Sequence, residues 1–357
     1  MIVFFPTYAR RLPGEKRWRA TVAGMVSRPL PPKSRRRSLA IGVIKRLLDL
    51  NETHLQSPVF QRRADAFLFQ RVAGEQVRIR LGDRLIDVGQ SDRVGHFHRE
   101  LDLDNTEVDA LARPSDGAAG GPGGRGSRWL SYHGVIDAEN ETDTRSTSFF
   151  SGPAPGSVQV IDDEGISVIS DIDDTVKVTN VANRRELLSN TLLREFYAVP
   201  GMAEIYRRWQ ETGTAFHYVS ASPWQLASCL CGFLRDTGLP AGSMHLKLFR
   251  LKDSTPLGRL PSRKRSKRRA IEQIMNDFPN RRFLLVGDSG ERDPEVYAAV
   301  ARRYPHRVIG VAIRQVEGKS SPAKVQSRWN RLARRLPAGG LHVFTEADEL
   351  ADYFRPG

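Results

Sequence analysis

Beyond residue 157 the chain alternates two kinds of hydrophobic pattern. Short apolar runs bounded by turn residues read as buried strands: Ile166-Ser167-Val168-Ile169-Ser170, Phe216-His217-Tyr218-Val219, Arg282-Phe283-Leu284-Leu285-Val286-Gly287, Arg307-Val308-Ile309-Gly310-Val311-Ala312-Ile313 and Gly340-Leu341-His342-Val343-Phe344. Between them, stretches such as Ala270-Ile271-Glu272-Gln273-Ile274-Met275 and Glu295-Val296-Tyr297-Ala298-Ala299-Val300 carry helical patterning, and 347–353 reads as a closing helix. Strand and helix in alternation predict an α/β domain over 158–357, built on a doubly wound parallel sheet. The segment 176–198 predicts a small helical cap, short enough to leave a site beneath it open.

Residues 1–157 are patterned differently. Val77-Arg78-Ile79-Arg80-Leu81 and Arg84-Leu85-Ile86-Asp87-Val88 flank Gly82-Asp83, which predicts a hairpin. Phe97-His98-Arg99-Glu100-Leu101-Asp102-Leu103 continues the period of two, with His96 and His98 read as surface residues. These segments predict a smaller, mostly-β, sandwich-like domain of antiparallel strands. Residues 113–128 are a Gly/Pro-rich low-complexity loop inserted within it, because Trp129-Leu130-Ser131-Tyr132 resumes the strand pattern. The amphipathic stretch 39–50 reads as a core helix with a solvated basic flank. No internal repeat is visible.

Candidate chemistry collects where the apolar runs of 158–357 stop. Ser170 is followed by Asp171-Ile172-Asp173-Asp174-Thr175, and carboxylates crowded at the exit of a buried strand repel one another unless a cation offsets them. The same string can serve as an Asx-type turn. Two further runs end alike, Val219 at Ser220 and Gly287 at Asp288. In a doubly wound sheet those ends converge, which would gather Asp171, Asp173, Ser220 and Asp288 around one small anion and one cation. Lys267 falls in the first turn of a helix expected to begin near Ser266. Ser222 precedes Pro223 and is read as a helix N-cap, while Asp293 precedes Pro294 and is read as a cap or as an outer group at a metal.

Taken in order, these motifs resemble those of the haloacid dehalogenase superfamily of aspartyl-nucleophile phosphotransferases: D-x-D-x-T at 171–175, a serine after a strand at Ser220, Lys267, and Gly287-Asp288-Ser289-Gly290-Glu291-Arg292-Asp293. The finer wording, Asp171-Ile172-Asp173-Asp174-Thr175-Val176-Lys177, Tyr218-Val219-Ser220-Ala221-Ser222-Pro223-Trp224 and Asp293-Pro294-Glu295-Val296-Tyr297, is similar to the actin-patch-protein family of Mg²⁺-dependent phosphatidate phosphatases. The likeness covers about 157–316 and extends more loosely to Trp18-Arg19-Ala20-Thr21-Val22-Ala23-Gly24 and Arg128-Trp129-Leu130-Ser131.

The resemblance implies hydrolysis of phosphatidate to diacylglycerol and phosphate at a membrane surface. Catalytic roles fall to Asp171, Asp173, Thr175, Ser220 and Lys267, and Mg²⁺ to Asp171, Asp173, Asp288 and Asp293. Asp171 would attack phosphorus, splitting one hard step into two through an aspartyl-phosphate. Asp173 would protonate the leaving alkoxide and later take a proton from water, with its backbone carbonyl on the cation and Thr175 orienting its side chain. Ser220 and Lys267 would hold the remaining phosphoryl oxygens. Asp174 belongs to the turn or outer shell. The family usually has Ser or Asn where this chain has Ala221, and Lys264 neighbours the lysine position that a helix start assigns to Lys267.

Charge and composition narrow the setting. The 357 residues carry a net charge of +14, with basic runs at Lys33-Ser34-Arg35-Arg36-Arg37 and Arg263-Lys264-Arg265-Ser266-Lys267-Arg268-Arg269. Such runs suit an anionic membrane surface at about 1 kcal/mol per basic side chain. They would also attract nucleic acid, so a phosphatase for another monoester, including a nucleic-acid end, is the alternative. A non-enzymatic adaptor on anionic membrane is the third reading. The opening apolar run Ile2-Val3-Phe4-Phe5 is too short for a signal-peptide core and no transmembrane segment is visible, which makes the expected location cytoplasmic. Cys229 and Cys231 read as buried thiols, and the histidines show no metal-ligand spacing.

Overall fold

Alternating inward and outward side chains build the amino-terminal sheet, and continuous apolar runs build the second one. The computed structural model describes all residues except 32, 49, 115–126, 136–154, 180–188, 191, 248–262, 317–321, 352 and 354–357. The chain divides into two compact units. Described residues of Met1–Gly42, Phe67–Ala118 and Ser127–Asp162 form the first, and those of Val43–Ala66 and Asp163–Gly357 the second.

The first unit holds strands β1 (Ile2–Phe4), β2 (Thr7–Arg11), β3 (Arg17–Pro29), β4 (Phe69–Arg71), β5 (Gln76–Leu81), β6 (Arg84–Gln90), β7 (His96–Asp104), β8 (Arg113–Pro114), β9 (Arg128–Val135) and β10 (Gly156–Ile161). Among the described residues they join in the order β1-β3-β2-β10-β9-β5-β6, with β4 and β7 on β3 and β8 on β9. Trp18, Ala20 and Val22 of β3 face a core shared with Ile79, Leu103 and Leu130, while Arg19 on the outer face pairs with Asp102 across β7 at 2.9 Å. The hairpin β5–β6 turns at Gly82-Asp83, where Gly82 takes φ +56°.

Several expectations change here. The sheet is not wholly antiparallel, because β10 pairs parallel with β2 and antiparallel with β9. Those pairings draw residues 158–161 into the first unit, which runs to Asp162. The low-complexity loop falls largely on 115–126, outside the described residues. His98 is exposed, but both ring nitrogens of His96 are buried, since its strand leans against Phe5. The amphipathic stretch is a helix, Arg35–Leu48, in which Leu39 is 71% exposed and so is no core residue.

In the second unit β11 (Ile166–Ser170), β12 (Ala215–Pro223), β13 (Ser243–Lys247), β14 (Arg282–Asp288), β15 (Val308–Arg314) and β16 (Leu341–Phe344) form a parallel sheet in the order β13-β12-β11-β14-β15-β16. Helices Met202–Glu211, Ala227–Asp236, Arg263–Asp277, Asp293–Arg303 and Pro322–Ala333 lie between or after the strands. Burial on both faces explains the unbroken apolar character of β11 and β14, where Val168, Ile169, Phe283, Leu284 and Leu285 are fully buried. From the central β11 the chain first winds outward through β12 and β13, then returns to β14 on the other side. That reversal opens a crevice at the carboxyl ends of β11 and β14.

The closing element is a 3₁₀ turn, Ala347–Leu350, rather than a full helix, with Glu346 and Glu349 capping it reciprocally. Residues 180–188 of the expected cap lie outside the described residues. Its two ends meet in an antiparallel bridge between Lys177 and Ala198. Cys229 and Cys231 are unbridged and partly buried.

Beneath β12 and β13, Ser243 Oγ sits 2.7 Å from His217 Nδ1 and 3.1 Å from His245 Nε2. Burial pushes His217 well below the usual histidine range, with His245 and Arg281 adding to the fall, and pushes His245 down to about 4 against the opposing charge of Asp277. Below about pH 6.5 the unfolded chain therefore binds protons that the folded core refuses, so stability falls as pH falls through that point. Urea unfolding is expected to show a loss of up to about 1.4 kcal/mol per pH unit for each histidine between about pH 6 and pH 4. His245→Gln should flatten that slope.

Candidate active site

The pairing of β11 with both neighbours sets the level at which the polar groups emerge. Ser170 stands opposite Tyr218 on one side and Val286 on the other, and Asp171 N makes a last ladder bond to Val286 O at 2.9 Å. Beyond it the chain folds back, with Val176 N and Lys177 N both donating to Ile172 O. The turn holds Asp174 at φ +55°, a strained value for a residue with a Cβ. Thr179 N bonds Asp174 Oδ1 at 2.8 Å and Arg314 Nη1 bonds its carbonyl at 2.9 Å, which fixes that conformation.

Asp173 is the centre of a dense set of donors. Its Oδ1 accepts from Thr179 Oγ1 at 2.9 Å and pairs with Lys177 Nζ at 2.7 Å, while its Oδ2 accepts from Ser220 Oγ at 3.1 Å and Ser222 Oγ at 2.6 Å. Strand β12 continues past Ser220 to Pro223, and alternation along a strand puts Ser220 and Ser222 on one face. Ser222 is therefore no helix cap; the following 3₁₀ turn, Trp224–Leu226, has no side-chain cap bond. Thr175 does not orient Asp173 either. Its Oγ1 is buried without a hydrogen-bond partner among the described residues, because the turn delivers Thr179 to that position.

Lys267 and the remaining acids make the other half. The helix starts at Arg263, one turn earlier than expected, and carries Lys267 into the interior, 7% exposed. Its Nζ lies 3.0 Å from Asp171 Oδ1 and 2.5 Å from Asp293 Oδ1. The side chain of Lys264 is outside the described residues. Asp293 is the first residue of its own helix and provides no cap; its Oδ2 accepts from Asp288 N at 3.3 Å. This close approach needs glycine at 287, since a Cβ there would fall 2.2 Å from Asp293 Oδ2. Asp288 Oδ1 takes Gly290 N at 2.6 Å and Glu291 N at 2.9 Å. Its Oδ2, like both oxygens of Asp171, accepts no hydrogen bond among the described residues.

These environments push the two halves apart. Burial drives Asp171 well above the usual carboxylate range against the pull of Lys267, and Asp293, Glu291 and Asp288 add to the rise. Burial and Asp293 push Asp288 up to about 8. Burial would raise Asp173 too, but Lys177, Ser222 and Thr179 hold it at about 2. Burial opposes the charge on Lys267, yet Asp171, Asp293 and Glu291 raise its pKa overall. Asp171, Asp288 and Asp293 each offer a carboxylate oxygen within 4.8 Å of the others, and one ammonium does not balance three carboxylates. Asp171 Oδ2 and Asp288 Oδ2, buried without a hydrogen bond among the described residues, in an all-oxygen set fit a hard divalent cation such as Mg²⁺. The carboxylate of Asp173 stands outside this trio, which leaves its backbone carbonyl for the role expected of it.

The structure thus brings together Asp171, Asp173, Ser220, Lys267, Asp288 and Asp293. Sequence reasoning missed Lys177, Thr179 and Ser222 as partners of Asp173. The available signal was the opposite charge four residues after Asp173.

Residues 166–315 match the family described as the catalytic domain of phosphatidate phosphatase APP1. Over 163 residues the chain is 36% identical to an uncharacterized protein of Schizosaccharomyces pombe, covering 44% of this chain and 26% of that one. Over 154 residues it is 33% identical to phosphatidate phosphatase APP1 of Saccharomyces cerevisiae, covering 42% of this chain and 26% of that one. The matched segment spans about a quarter of the length of these curated relatives.

The contact between Gly287 and Asp293 can be checked by double substitution. Gly287→Ala is expected to cost about 1–3 kcal/mol in chemical denaturation, as overpacking does. Adding Asp293→Ala should recover part of that loss; purely additive costs would remove the contact as its cause.

Proposed function

We propose, from the match of residues 166–315 to the family described as the catalytic domain of phosphatidate phosphatase APP1, that this chain is a Mg²⁺-dependent phosphatidate phosphatase of haloacid-dehalogenase type. It hydrolyses phosphatidate to diacylglycerol and phosphate through an aspartyl-phosphate. The observation that carries the reading is the pair of unlike carboxylates at one strand exit: Asp171 beside Lys267, and Asp173 beside Ser220, Ser222 and Lys177. A carboxylate nucleophile needs a cation beside it to offset the incoming phosphoryl charge, and an acid/base needs neighbours that fix the direction of its oxygens.

Asp171, Asp288 and Asp293 would hold Mg²⁺, with the Asp173 carbonyl nearby. Bound there, the cation supplies positive charge against the phosphoryl oxygens and the crowded carboxylates. Asp171 attacks phosphorus, and the bond from phosphorus to the glycerol oxygen breaks. Lys267 and Ser220 bind phosphoryl oxygens as charge develops on them. A phosphate dianion arriving beside Asp173 raises its proton affinity against the pull of Lys177, so that it takes up a proton from solvent and passes it to the leaving alkoxide. In the second step the same carboxylate takes a proton from the water that cleaves the aspartyl-phosphate. Lys177 and Thr179 position Asp173 from the side away from Ser220.

Among the described residues no helix is long and apolar enough to cross a membrane. We place the protein in the cytoplasm, meeting anionic membrane through the basic runs at 33–37 and 263–269.

Asp171→Asn is expected to lower phosphatidate turnover by about a thousandfold or more while the chain remains folded. Chelation should abolish activity and Mg²⁺ restore it, with Asp288→Ala needing more Mg²⁺ or failing to recover. Full activity in chelator would sink the reading. A preference for a phosphorylated oligonucleotide end over phosphatidate would favour the alternative substrate.

Lys177→Met should lower kcat by about tenfold or more with little change in KM, and more strongly for an alkyl than for an aryl phosphate. Equal losses on both would show that Lys177 serves folding alone.

A further inference from the structure

Five large apolar side chains are conspicuously exposed among the described residues: Met1, Leu39, Leu85, Val178 and Tyr197. Scattered exposed apolar groups need no explanation. Two of these five, however, share one spot. Val178 N bonds Tyr197 O at 2.9 Å, and Val199 N bonds Val176 O at 2.9 Å, on either side of the Lys177–Ala198 bridge. Val178 and Tyr197 are therefore directly opposite one another in a short antiparallel ladder, on its same face.

Alternation gives the two faces opposite jobs. Lys177 turns inward, 2% exposed, to Asp173, while the next residue, Val178, turns out and is 46% exposed. Tyr197 is 67% exposed. Its neighbour Phe196 packs inward, with its ring under Lys177 Nζ at 4.6 Å and under the Arg63 guanidinium at 3.6 Å. Arg63 also bonds the carbonyls of Asn190 and Arg194. The exposed pair thus stands on an anchored base, one residue from the lysine that holds the candidate acid.

We propose that Val178 and Tyr197 form a lip that seats on the bilayer carrying the substrate. This rests on the phosphatidate phosphatase reading given above. Asp173 must face the ester oxygen that leaves, so the diacylglycerol portion departs on the Asp173 side, where the ladder continues outward from Lys177. Acyl chains cannot leave the hydrocarbon, so that side of the site has to meet the membrane. A tyrosine with an apolar neighbour suits the headgroup level, where one end of the ring is wet and the other is not. Arg194, exposed on the turn before Tyr197, adds a positive charge for an anionic surface, and the exposed Glu195 beside it opposes that charge.

The test compares the full chain with the double variant Val178→Ser, Tyr197→Ser on three readouts. Hydrolysis is measured on vesicles of phosphatidylcholine and phosphatidate, and on a soluble aryl phosphate. Vesicle binding is measured by co-sedimentation in an Asp171→Asn background, so that the lipid is not consumed. The expected result is a loss of about tenfold in vesicle binding and in vesicle kcat/KM, with the aryl phosphate unaffected and Tyr197→Trp at or above the original level. Unchanged vesicle binding, or an equal loss on the aryl phosphate, overturns the lip. Failure of the reading beneath it looks different: the unsubstituted chain would then leave phosphatidate intact in vesicles while cleaving the soluble ester. Vesicle binding that still fell in the variant would support the lip for another lipid monoester.

Discussion

Lys267 reaches two buried carboxylates with one ammonium, Asp171 at 3.0 Å and Asp293 at 2.5 Å, all three side chains being almost fully buried. A third, Asp288, offers an oxygen within 4.8 Å of theirs. Buried charge of one sign is tolerated only where something offsets it, and the rest of the carboxyl edge is arranged around that requirement. Gly287 lets Asp293 come close, backbone amides of Gly290 and Glu291 donate to one oxygen of Asp288, and the helix Arg263–Asp277 turns Lys267 inward.

The opposite shifts in acidity do not arise from different residue types here, since both key groups are aspartates two positions apart. Asp171 has the Lys267 ammonium as its one charged partner among the described residues, and burial raises its pKa; Asp173 has four side-chain donors, which hold its pKa down. The difference comes from where the backbone goes. Asp171 ends a strand between two parallel neighbours, while Asp173 enters the strained turn that brings Lys177 and Thr179 round to meet it.

Much of this was legible in the sequence because strand ends are. The apolar runs 166–170 and 282–287 each stop at an aspartate, and parallel pairing then places those aspartates side by side. Lys267 was legible as a position but not as an interior group, since a basic run looks solvated until one member is seen to face inward. Ser222 misled because a serine before proline also ends strands; the pattern gives no sign that β12 continues beyond Ser220. Thr175 misled because motif spacing says nothing about the path of a tight turn. In the first unit the alternation revealed the hairpin β5–β6, which is local, but not the partner of β10, which lies far away in sequence.

That last pairing bears on how the chain is made. β10 sits between β2 and β9, so the first sheet keeps two unfilled edges until residues 156–161 have been synthesised. During elongation the amino-terminal unit is therefore a late-closing one, with a long loop to shut before its middle strand arrives. Exposed edges of that kind invite pairing with other nascent chains. The strand that closes the first unit is followed after a short turn by β11, so completion of one sheet and the start of the next coincide on the ribosome.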